Sequence, residues 1–229
     1  MEKSARNPRA TRLRCVCRLA PQQSCCFIKS VKIVPLIAEK AALAGLEFLV
    51  IGGNAVIAYG YPRLTSDVDL LVRETDRRKW DDLILALGYR QHHIHRVFHM
   101  YNPIARDLPA VDLMLVNEGT FAKLSDNTTD TELGGVTVRI PSLRNLIALK
   151  LHALRQGGEH RHTRDFVDVI ELMQLNQVDL AAPDYVEILE RYATPAIAAA
   201  IRAQYAGPRP SGSGPRLWPN VVLPACGPR

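Results

Sequence analysis

Hydrophobic positions in the middle of the chain switch between helical spacing and the short apolar runs typical of buried strands. A first helix is predicted after Pro35, through LIAEKAALAG, with the proline in its first turn and Gly45 at its end. Five segments are predicted to be strands: EFLVI, DVDLLV, HRVFHMY, AVDLMLV and GVTVRI. A short helix is predicted after the Gly52-Gly53 turn, and an amphipathic helix in ETDRRKWDDLILALG. We expect HRVFHMY and AVDLMLV to pair antiparallel.

Beyond Pro141 the pattern is helical throughout. The helical segments are PSLRNLIALKLHALRQ, TRDFVDVIELMQ, PDYVEILERYA and PAIAAAIRAQYA. The body of the chain is therefore predicted to be α+β. It has a small mixed β-sheet core with flanking helices at 31–140, followed by a C-terminal helical segment at 141–205.

The net charge of +6 is concentrated at the two ends of the chain. Residues 1–30 contain seven Lys or Arg and one Glu, and residues 206–229 contain three Arg and no acidic residue. The body therefore carries a net charge of −3, which argues against a general nucleic-acid-binding protein. Both ends lack hydrophobic periodicity and the second is rich in Pro and Gly, so both are predicted to be disordered.

All the cysteines lie in these ends: Cys15, Cys17, Cys25, Cys26 and Cys226. Their spacing matches no zinc finger or ribbon, and the odd count without a secretory signal indicates a reducing, cytoplasmic setting. The Arg-rich, acid-poor start also fits an organellar targeting segment, although a dispensable extension is the simpler interpretation. No apolar run is long enough to predict a membrane span.

Two carboxylates stand where the pattern otherwise requires apolar residues. Asp67 and Asp69 are two apart in a strand, so both project from one face, where they repel each other and are costly to bury. Asp112 has the same setting in AVDLMLV and joins them if the two strands are neighbours. Three convergent carboxylates favour a divalent cation and are typical of metal-assisted phosphoryl transfer.

The turn at Gly52 and Gly53 adds a second feature of such a site. Backbone N–H groups at the start of a helix bind phosphate oxygens, and glycine leaves them unhindered. A Gly-Gly pair alone is more often an ordinary turn, and a single Asp in a strand is often an edge residue. A strand, a Gly-Gly turn and a helix followed by Asp-x-Asp are far more specific in combination.

The segment VIGGNAVIAYGYPRLTSDVDLLV resembles the signature of the polymerase-β-like nucleotidyltransferase superfamily, in which Gly-Gly or Gly-Ser precedes Asp-hydrophobic-Asp. The segment PSLRNLIALKLHALRQGGEHRHTRDFVDVIELM resembles the second half of the AbiEii-type nucleotidyltransferases, toxins of abortive-infection and toxin–antitoxin systems. Together the two resemblances cover residues 33–175. Gly53 replaces the serine of many relatives, and Lys150 and Arg155 match the family's helix pattern only approximately.

The resemblance implies a nucleotidyltransferase core and a set of site residues. Catalytic roles are implied for Asp67, Asp69, Asp112 and Asp165, and the first three are also implied to bind Mg²⁺ or Mn²⁺. Nucleotide-binding roles are implied for Gly52, Gly53, Ser66, Lys150 and Arg155.

Lys150 is unusual because it lies within the apolar stripe of its predicted helix. Its amine either extends to solvent or points into a cleft, and the predicted carboxylates favour a nucleotide-phosphate contact. Lys150→Met is accordingly expected to leave the fold intact. Asp165 and Asp168 share one helix face just after Thr163, the predicted cap. One interpretation is that one or both are simply favoured at the helix N-terminus. The resemblance implies that Asp165 faces the catalytic cleft, either as a base or as a partner of Lys150.

The histidines are a weaker signal. No Cys or carboxylate stands at ligand spacing from the crowded group His92, His93, His95 and His99, which argues against a metal site there. A second group is predicted to form a basic loop near an anionic substrate: His160, Arg161, His162 and Arg164.

These features predict a metal-dependent nucleotidyltransferase that moves an NMP from an NTP to a hydroxyl on RNA (tRNA-like) or protein. By resemblance it is the toxin of a toxin–antitoxin or abortive-infection pair, with a cognate antitoxin protein as partner. The alternative is a catalytically inactive nucleotide- or partner-binding module of the same fold. The complete set of three carboxylates favours the enzyme.

Overall fold

The computed structural model describes residues 33–156 and 159–205. The disordered ends predicted at 1–30 and 206–229, with all five cysteines, lie outside the described residues. In the part of the chain that is described, no helix is both long and apolar enough to cross a membrane.

A five-stranded mixed sheet forms the centre of the molecule. Its strands are β1 (Phe48–Val50), β2 (Asp67–Arg73), β3 (Tyr89–His95), β4 (Phe98–Pro103) and β5 (Ala110–Val116). They lie in the spatial order β1-β2-β5-β4-β3; β2 and β5 run parallel, and the other neighbouring pairs are antiparallel. A separate antiparallel hairpin pairs β6 (Thr128–Leu133) with β7 (Val136–Pro141).

Helices flank the sheet and make up the C-terminal part of the described chain. They are α1 (33–43), α2 (Gly52–Ala58), α3 (Arg77–Ala86), α4 (Glu118–Ser125), α5 (Leu143–Gln156), α6 (Glu159–Leu175), α7 (Pro183–Tyr192) and α8 (Pro195–Gln204). The predicted α+β class, with a mixed sheet and a helical segment after it, is confirmed.

The central parallel pair is buried on both faces. On one face, Val68, Leu70 and Val72 of β2 belong to the main core, together with residues of α3 and the C-terminal helices. On the other face, Leu71 packs with Phe121 and Leu124 of α4. Because residues alternate along a strand, Asp67 and Asp69 lie on the same face as Leu71. Helix α4 therefore packs at one end of the face that carries the aspartates.

Three elements are absent from the sequence prediction. HRVFHMY is predicted as one strand, but residues 96–97 form a turn, and the preceding segment is a separate strand, β3. Beyond Tyr89, the residues of β3 are exposed on both faces, so they show no apolar alternation. Helix α4 and strand β6 escape detection because each is short and buries only two residues.

Two local predictions in the helical segment are wrong. Helix α6 begins at Glu159, so Thr163 lies inside the helix and does not cap it. Residues 160–164 are accordingly helical, and the predicted basic loop does not form.

Candidate active site

The three aspartates of the sequence motif meet on two adjacent strands. Asp69 of β2 lies opposite Asp112 of β5 in the parallel register, and Asp67 is two residues before Asp69 on the same face. One carboxylate oxygen from each residue lies within 4.8 Å of the others. The strands predicted to carry these residues are thus neighbours, as convergence of the three carboxylates requires.

The Gly52 position packs directly against Asp69. The backbone N–H of Ile51 donates to the Asp69 carbonyl at 2.9 Å, which holds the turn against β2. Gly52 has φ +62°, and a Cβ added there would lie 1.8 Å from Asp69 Oδ2. Only glycine satisfies both the left-handed backbone and this close approach.

The loop between α2 and β2 fixes the position of Asp67. Thr65 Oγ1 donates to Asp67 Oδ1 at 3.0 Å, and Asn54 Nδ2 donates to the Asp67 carbonyl at 3.1 Å. The same loop folds over the Gly-Gly turn, because a Cβ on Gly53 would lie 2.4 Å from Thr65 Oγ1 and 2.5 Å from Arg63 Nη2. The turn and the carboxylates are therefore held as one unit.

The negative charges of the three clustered aspartates are only partly compensated by nearby positive charges. Burial, together with the nearby charges of Asp67 and Asp112, raises the pKa of Asp69 to about 7, while Lys150 and Arg63 act in the opposite direction. Three clustered carboxylate oxygens form a donor set that suits a hard divalent cation such as Mg²⁺. The residues present fit a metal site.

A second group of charges lies beside these carboxylates, and we call it the charge cluster: Arg63, Lys150, Asp165 and Asp168. Lys150 Nζ lies 2.6 Å from Asp165 Oδ1 and 2.8 Å from Asp168 Oδ2. Arg63 Nη1 lies 3.6 Å from Asp168 Oδ2. Burial alone would lower the pKa of Lys150, but Asp168 and Asp165 outweigh it, so the pKa lies above its usual value.

Lys150 therefore does not extend its amine to solvent. Its side chain is 11 % exposed and lies between two carboxylates of α6, one of which, Asp168, is only 1 % exposed. The contact between Lys150 and Asp165 agrees with the partner role considered for Asp165. The positive charge of the Lys150 amine also lowers the pKa of Asp69, so this amine lies near the three carboxylates.

The two other predicted nucleotide-binding residues are not members of the charge cluster. Ser66 is exposed in the loop immediately before Asp67. Arg155 Nη1 donates to the carbonyl of Arg191 at 3.4 Å, at the C-terminal end of α7. The nucleotide contacts of both residues remain predictions.

The roles of Arg63, Thr65 and Asn54 in the site are not predicted from the sequence. A signal for Arg63 was present, because Arg63, Asp67 and Asp69 are the only charged residues between positions 48 and 72. Thr65 and Asn54 carry no such signal, since small polar residues are common in loops and short helices.

His99 belongs to a different cluster on the opposite face of the sheet. Its Nδ1 lies 2.8 Å from Asp81 Oδ1 of α3, and the Tyr101 hydroxyl also donates to this carboxylate. Burial, followed by the contact with Asp81, raises the pKa of Tyr101. His93 and His95 lie on β3 and project from the other face of the sheet, so these two histidines do not converge with His99. In the described chain, the one group of potential metal ligands is Asp67, Asp69 and Asp112.

Solved nucleotidyltransferases share this fold. The solution structure of the antibiotic-resistance factor ANT(2'')-Ia aligns with a TM-score of 0.50 and 16% identity, over 77% of this chain and 92% of that chain. The crystal structure of ANT(2'')-Ia with adenylyl-2''-tobramycin aligns with a TM-score of 0.50 and 18% identity, over 77% and 98%. An antigenic nucleotidyltransferase-like protein from Paracoccidioides brasiliensis gives a TM-score of 0.45 and 18% identity, over 75% and 91%. No curated protein matches the chain significantly.

The fold and the aspartates on adjacent central strands, beside a Gly-Gly turn, define a protein of the nucleotidyltransferase class. The model of a family described as uncharacterised nucleotidyltransferase matches residues 31–204, and the chain belongs to that family. Membership of the AbiEii-type subfamily remains a prediction.

Proposed function

We propose that this protein is a metal-dependent enzyme that transfers a nucleoside monophosphate from an NTP to a hydroxyl acceptor. The observation that supports this most directly is the convergence of Asp67, Asp69 and Asp112 within 4.8 Å on two parallel strands. Like charges at this distance are costly unless a cation compensates them, so a structural role alone does not account for the arrangement.

Asp67, Asp69 and Asp112 would hold Mg²⁺ or Mn²⁺, because these hard cations prefer carboxylate oxygens. When bound, the metal would neutralise triphosphate charge and stabilise the leaving pyrophosphate. Thr65 and Asn54 assist by fixing Asp67 through its carboxylate and its carbonyl.

The triphosphate would lie at the Gly52-Gly53 turn, where the backbone N–H groups that begin α2 can bind phosphate oxygens. Arg63 and Lys150 supply the positive charge on this side, since both lower the pKa of the neighbouring Asp69. We leave Arg155 out of this set because its guanidinium binds the end of α7.

The reaction exchanges one phosphorus–oxygen bond for another. The acceptor hydroxyl oxygen bonds to the α-phosphorus of the NTP, the bond from this phosphorus to the oxygen bridging to the β-phosphate breaks, and pyrophosphate leaves with that oxygen. We propose that Asp112 accepts the proton of the hydroxyl group. Its strand, β5, lies between β2 and β4, on the side of β2 that is away from the Gly-Gly turn proposed to hold the triphosphate. Asp165 is less suited as a base because it already holds the Lys150 amine at 2.6 Å.

The acceptor that we propose is a hydroxyl on RNA or protein, and the biological role is that of a toxin with a cognate antitoxin. The support for this role is the AbiEii-type resemblance of the segment that contains Lys150, Asp165 and Asp168. Induced expression in a bacterial host tests it. We expect growth arrest by the unaltered chain but not by Asp67→Asn, and equal growth of both strains would contradict the toxin role.

Labelled nucleotides test the chemistry. The purified chain is incubated with each of the four NTPs, labelled at the α-phosphate, together with total RNA or cell lysate, in Mg²⁺ or in EDTA. We expect one NTP to label a macromolecule in Mg²⁺ only, with loss of the label in Asp67→Asn and Asp112→Asn. Labelling that persists in EDTA or in both variants, or no labelling with any NTP, would refute the proposed function.

A further inference from the structure

The face of the sheet that carries the aspartates continues across β4 and β3. The register pairs Asp69 with Asp112, and Asp112 with Met100 of β4. Met100 in turn pairs with His93 of β3. These four side chains form one row, because residues paired across neighbouring strands project from the same face. Neighbouring strands lie about 4.8 Å apart, so His93 is about 10 Å from Asp112.

Parallel rows on either side complete this surface. His95 pairs with Phe98, and Arg90 pairs with Asn102, on the same face as His93 and Met100. We call the resulting surface the β3–β4 face; it consists of Arg90, His93, His95, Phe98, Met100 and Asn102. Its β4 residues are partly exposed and its β3 residues are exposed.

The charged side chains of β3, β4 and the turn between them are all cationic. Strands β3 and β4, with the turn between them, contain no Asp or Glu, and their two arginines are Arg90 and Arg96. Among the described ion pairs, neither arginine has an acidic partner. The body of the chain is acidic overall, so a cationic strand beside the aspartates is a local feature and does not follow from composition.

The chemistry of the surface separates acceptor classes. A polyamine such as tobramycin carries several positive charges, which Arg90 would repel and which no carboxylate of the β3–β4 face would bind. An RNA strand offers phosphates for the arginines, and its unpaired bases can stack on imidazole, phenyl and thioether groups. Phosphates of a single strand are spaced by a few ångströms, so about 10 Å corresponds to the last few nucleotides.

We propose that the β3–β4 face binds the 3′-terminal nucleotides of a single-stranded RNA acceptor, with the terminal ribose hydroxyl beside Asp112. Bases lie on Met100 and Phe98, and the backbone passes Arg90 and His93 on its way off the sheet. The catalytic part of this inference rests on the proposed function, with the bond changes given above. The binding part does not, because an RNA strand can occupy this face without any nucleotide transfer.

Binding of a fluorescent 12-nucleotide RNA with a free 3′-hydroxyl, followed by anisotropy on the full-length chain, tests the face directly. Arg90→Glu removes a cation from it, and Arg78→Glu makes the same charge change at an exposed position of α3, which packs on the opposite side of the sheet. Both residues are exposed, so neither change threatens the core. Measurements from 0.1 to 0.4 M salt separate a defined contact from general attraction to the basic termini.

We expect Arg90→Glu to weaken RNA binding about fivefold at 0.2 M salt and to reduce the slope of log affinity against log salt by about one. Arg78→Glu should stay within about twofold of the unaltered chain at the same salt, with the slope unchanged. Equal effects of the two variants, or none, would overturn the inference even if RNA proved to be the acceptor.

The transfer assay distinguishes the two proposals. RNA, a DNA strand of the same sequence, tobramycin and lysate protein are offered as acceptors in turn. Labelling of RNA that falls in Arg90→Glu, through KM more than kcat, supports the assignment. Labelling of tobramycin, DNA or protein in preference to RNA overturns it while leaving the nucleotidyltransferase proposal intact. Arg90-dependent RNA binding without transfer to any acceptor would refute the proposed reaction and retain the binding face.

Discussion

At the scale of single residues, the geometry of the site depends on a few residues that contact the aspartates directly. Gly52 lies so close to Asp69 that a methyl group would displace the carboxylate. Thr65 and Asn54 hold Asp67 in place through hydrogen bonds.

The spacing of Asp67 and Asp69 is enough to predict that they face the same way, because the period of a strand is two. A pairing of Lys150 with Asp165 is among the interpretations of the sequence, but the contact of Asp168 with both Lys150 and Arg63 could not be predicted, since Arg63 precedes Asp168 by 105 positions.

Gly52→Ala should cost both stability and metal affinity. Its matched control is Gly45→Ala, because Gly45 has nearly the same φ, +64°, but nothing within 4 Å of the added Cβ. Backbone strain alone predicts a loss of about 1 kcal/mol in the control, with activity intact. Gly52→Ala should lose about 2–3 kcal/mol and at least tenfold in Mg²⁺ affinity, by urea unfolding and metal titration. Similar metal affinities in the two variants would disprove the close-contact explanation.

Lys150→Met is now expected to destabilise the fold, contrary to the sequence-based expectation. The substitution removes the amine that Asp165 binds and leaves Asp168 with the longer contact to Arg63. Breaking a buried pair in this way costs about 3–5 kcal/mol in the free energy of unfolding. Adding Asp165→Asn should recover part of the loss in urea unfolding, without restoring activity. A single variant as stable as the unaltered chain would show that the charge cluster contributes little.

At the scale of elements, the pairing of β2 with β5 creates the site. Both strands show continuous apolar runs, which is why the sequence predicts them, and the aspartates interrupt those runs. Strand β3 could not be predicted, because a strand exposed on both faces has no periodic apolar signal. It is an edge strand whose one neighbour in the sheet is β4, so beyond the buried Tyr89 it depends on the hydrogen-bond ladder more than on burial.

The crowding of carboxylates on β2 and β5 should make the metal-free protein less stable as pH rises. Asp69 has a pKa of about 7 in the folded chain against an ordinary value of 3.8. Below the ordinary value both states are protonated; above it the unfolded chain loses the proton first, so stability declines from about pH 4 to pH 7. Asp69→Asn should remove this part of the decline, as shown by melting curves in EDTA.

Magnesium should reverse this decline, because the cation binds the ionised carboxylates of the folded state only. The increase in melting temperature caused by Mg²⁺ should therefore be small at pH 5 and largest above pH 7. In Asp67→Asn the increase should be reduced at every pH. A melting temperature that Mg²⁺ does not change at pH 7.5 would argue strongly against a metal site.

At the scale of the whole molecule, the described residues contain a continuous core that joins the sheet to the C-terminal helices. The charge cluster connects the same two parts, because Arg63 precedes β2 while Lys150 and Asp168 belong to α5 and α6. The separation at residue 140 remains a prediction, and these shared contacts argue that the two parts unfold together. The family match over residues 31–204 covers both.

A chain trimmed to residues 31–205 should fold and remain active, because the described core lies within these limits. We expect a single cooperative transition in urea and a melting temperature close to that of the full chain, since the removed residues are predicted to bury little apolar surface. The trimmed chain also loses nine units of positive charge, so its affinity for RNA should fall at low salt and change little near about 0.3 M. Arg90→Glu should weaken RNA binding to the same extent in the trimmed chain, because the β3–β4 face is retained. A trimmed chain that does not fold would place part of the N-terminal segment in the core and move the domain boundary away from residue 31.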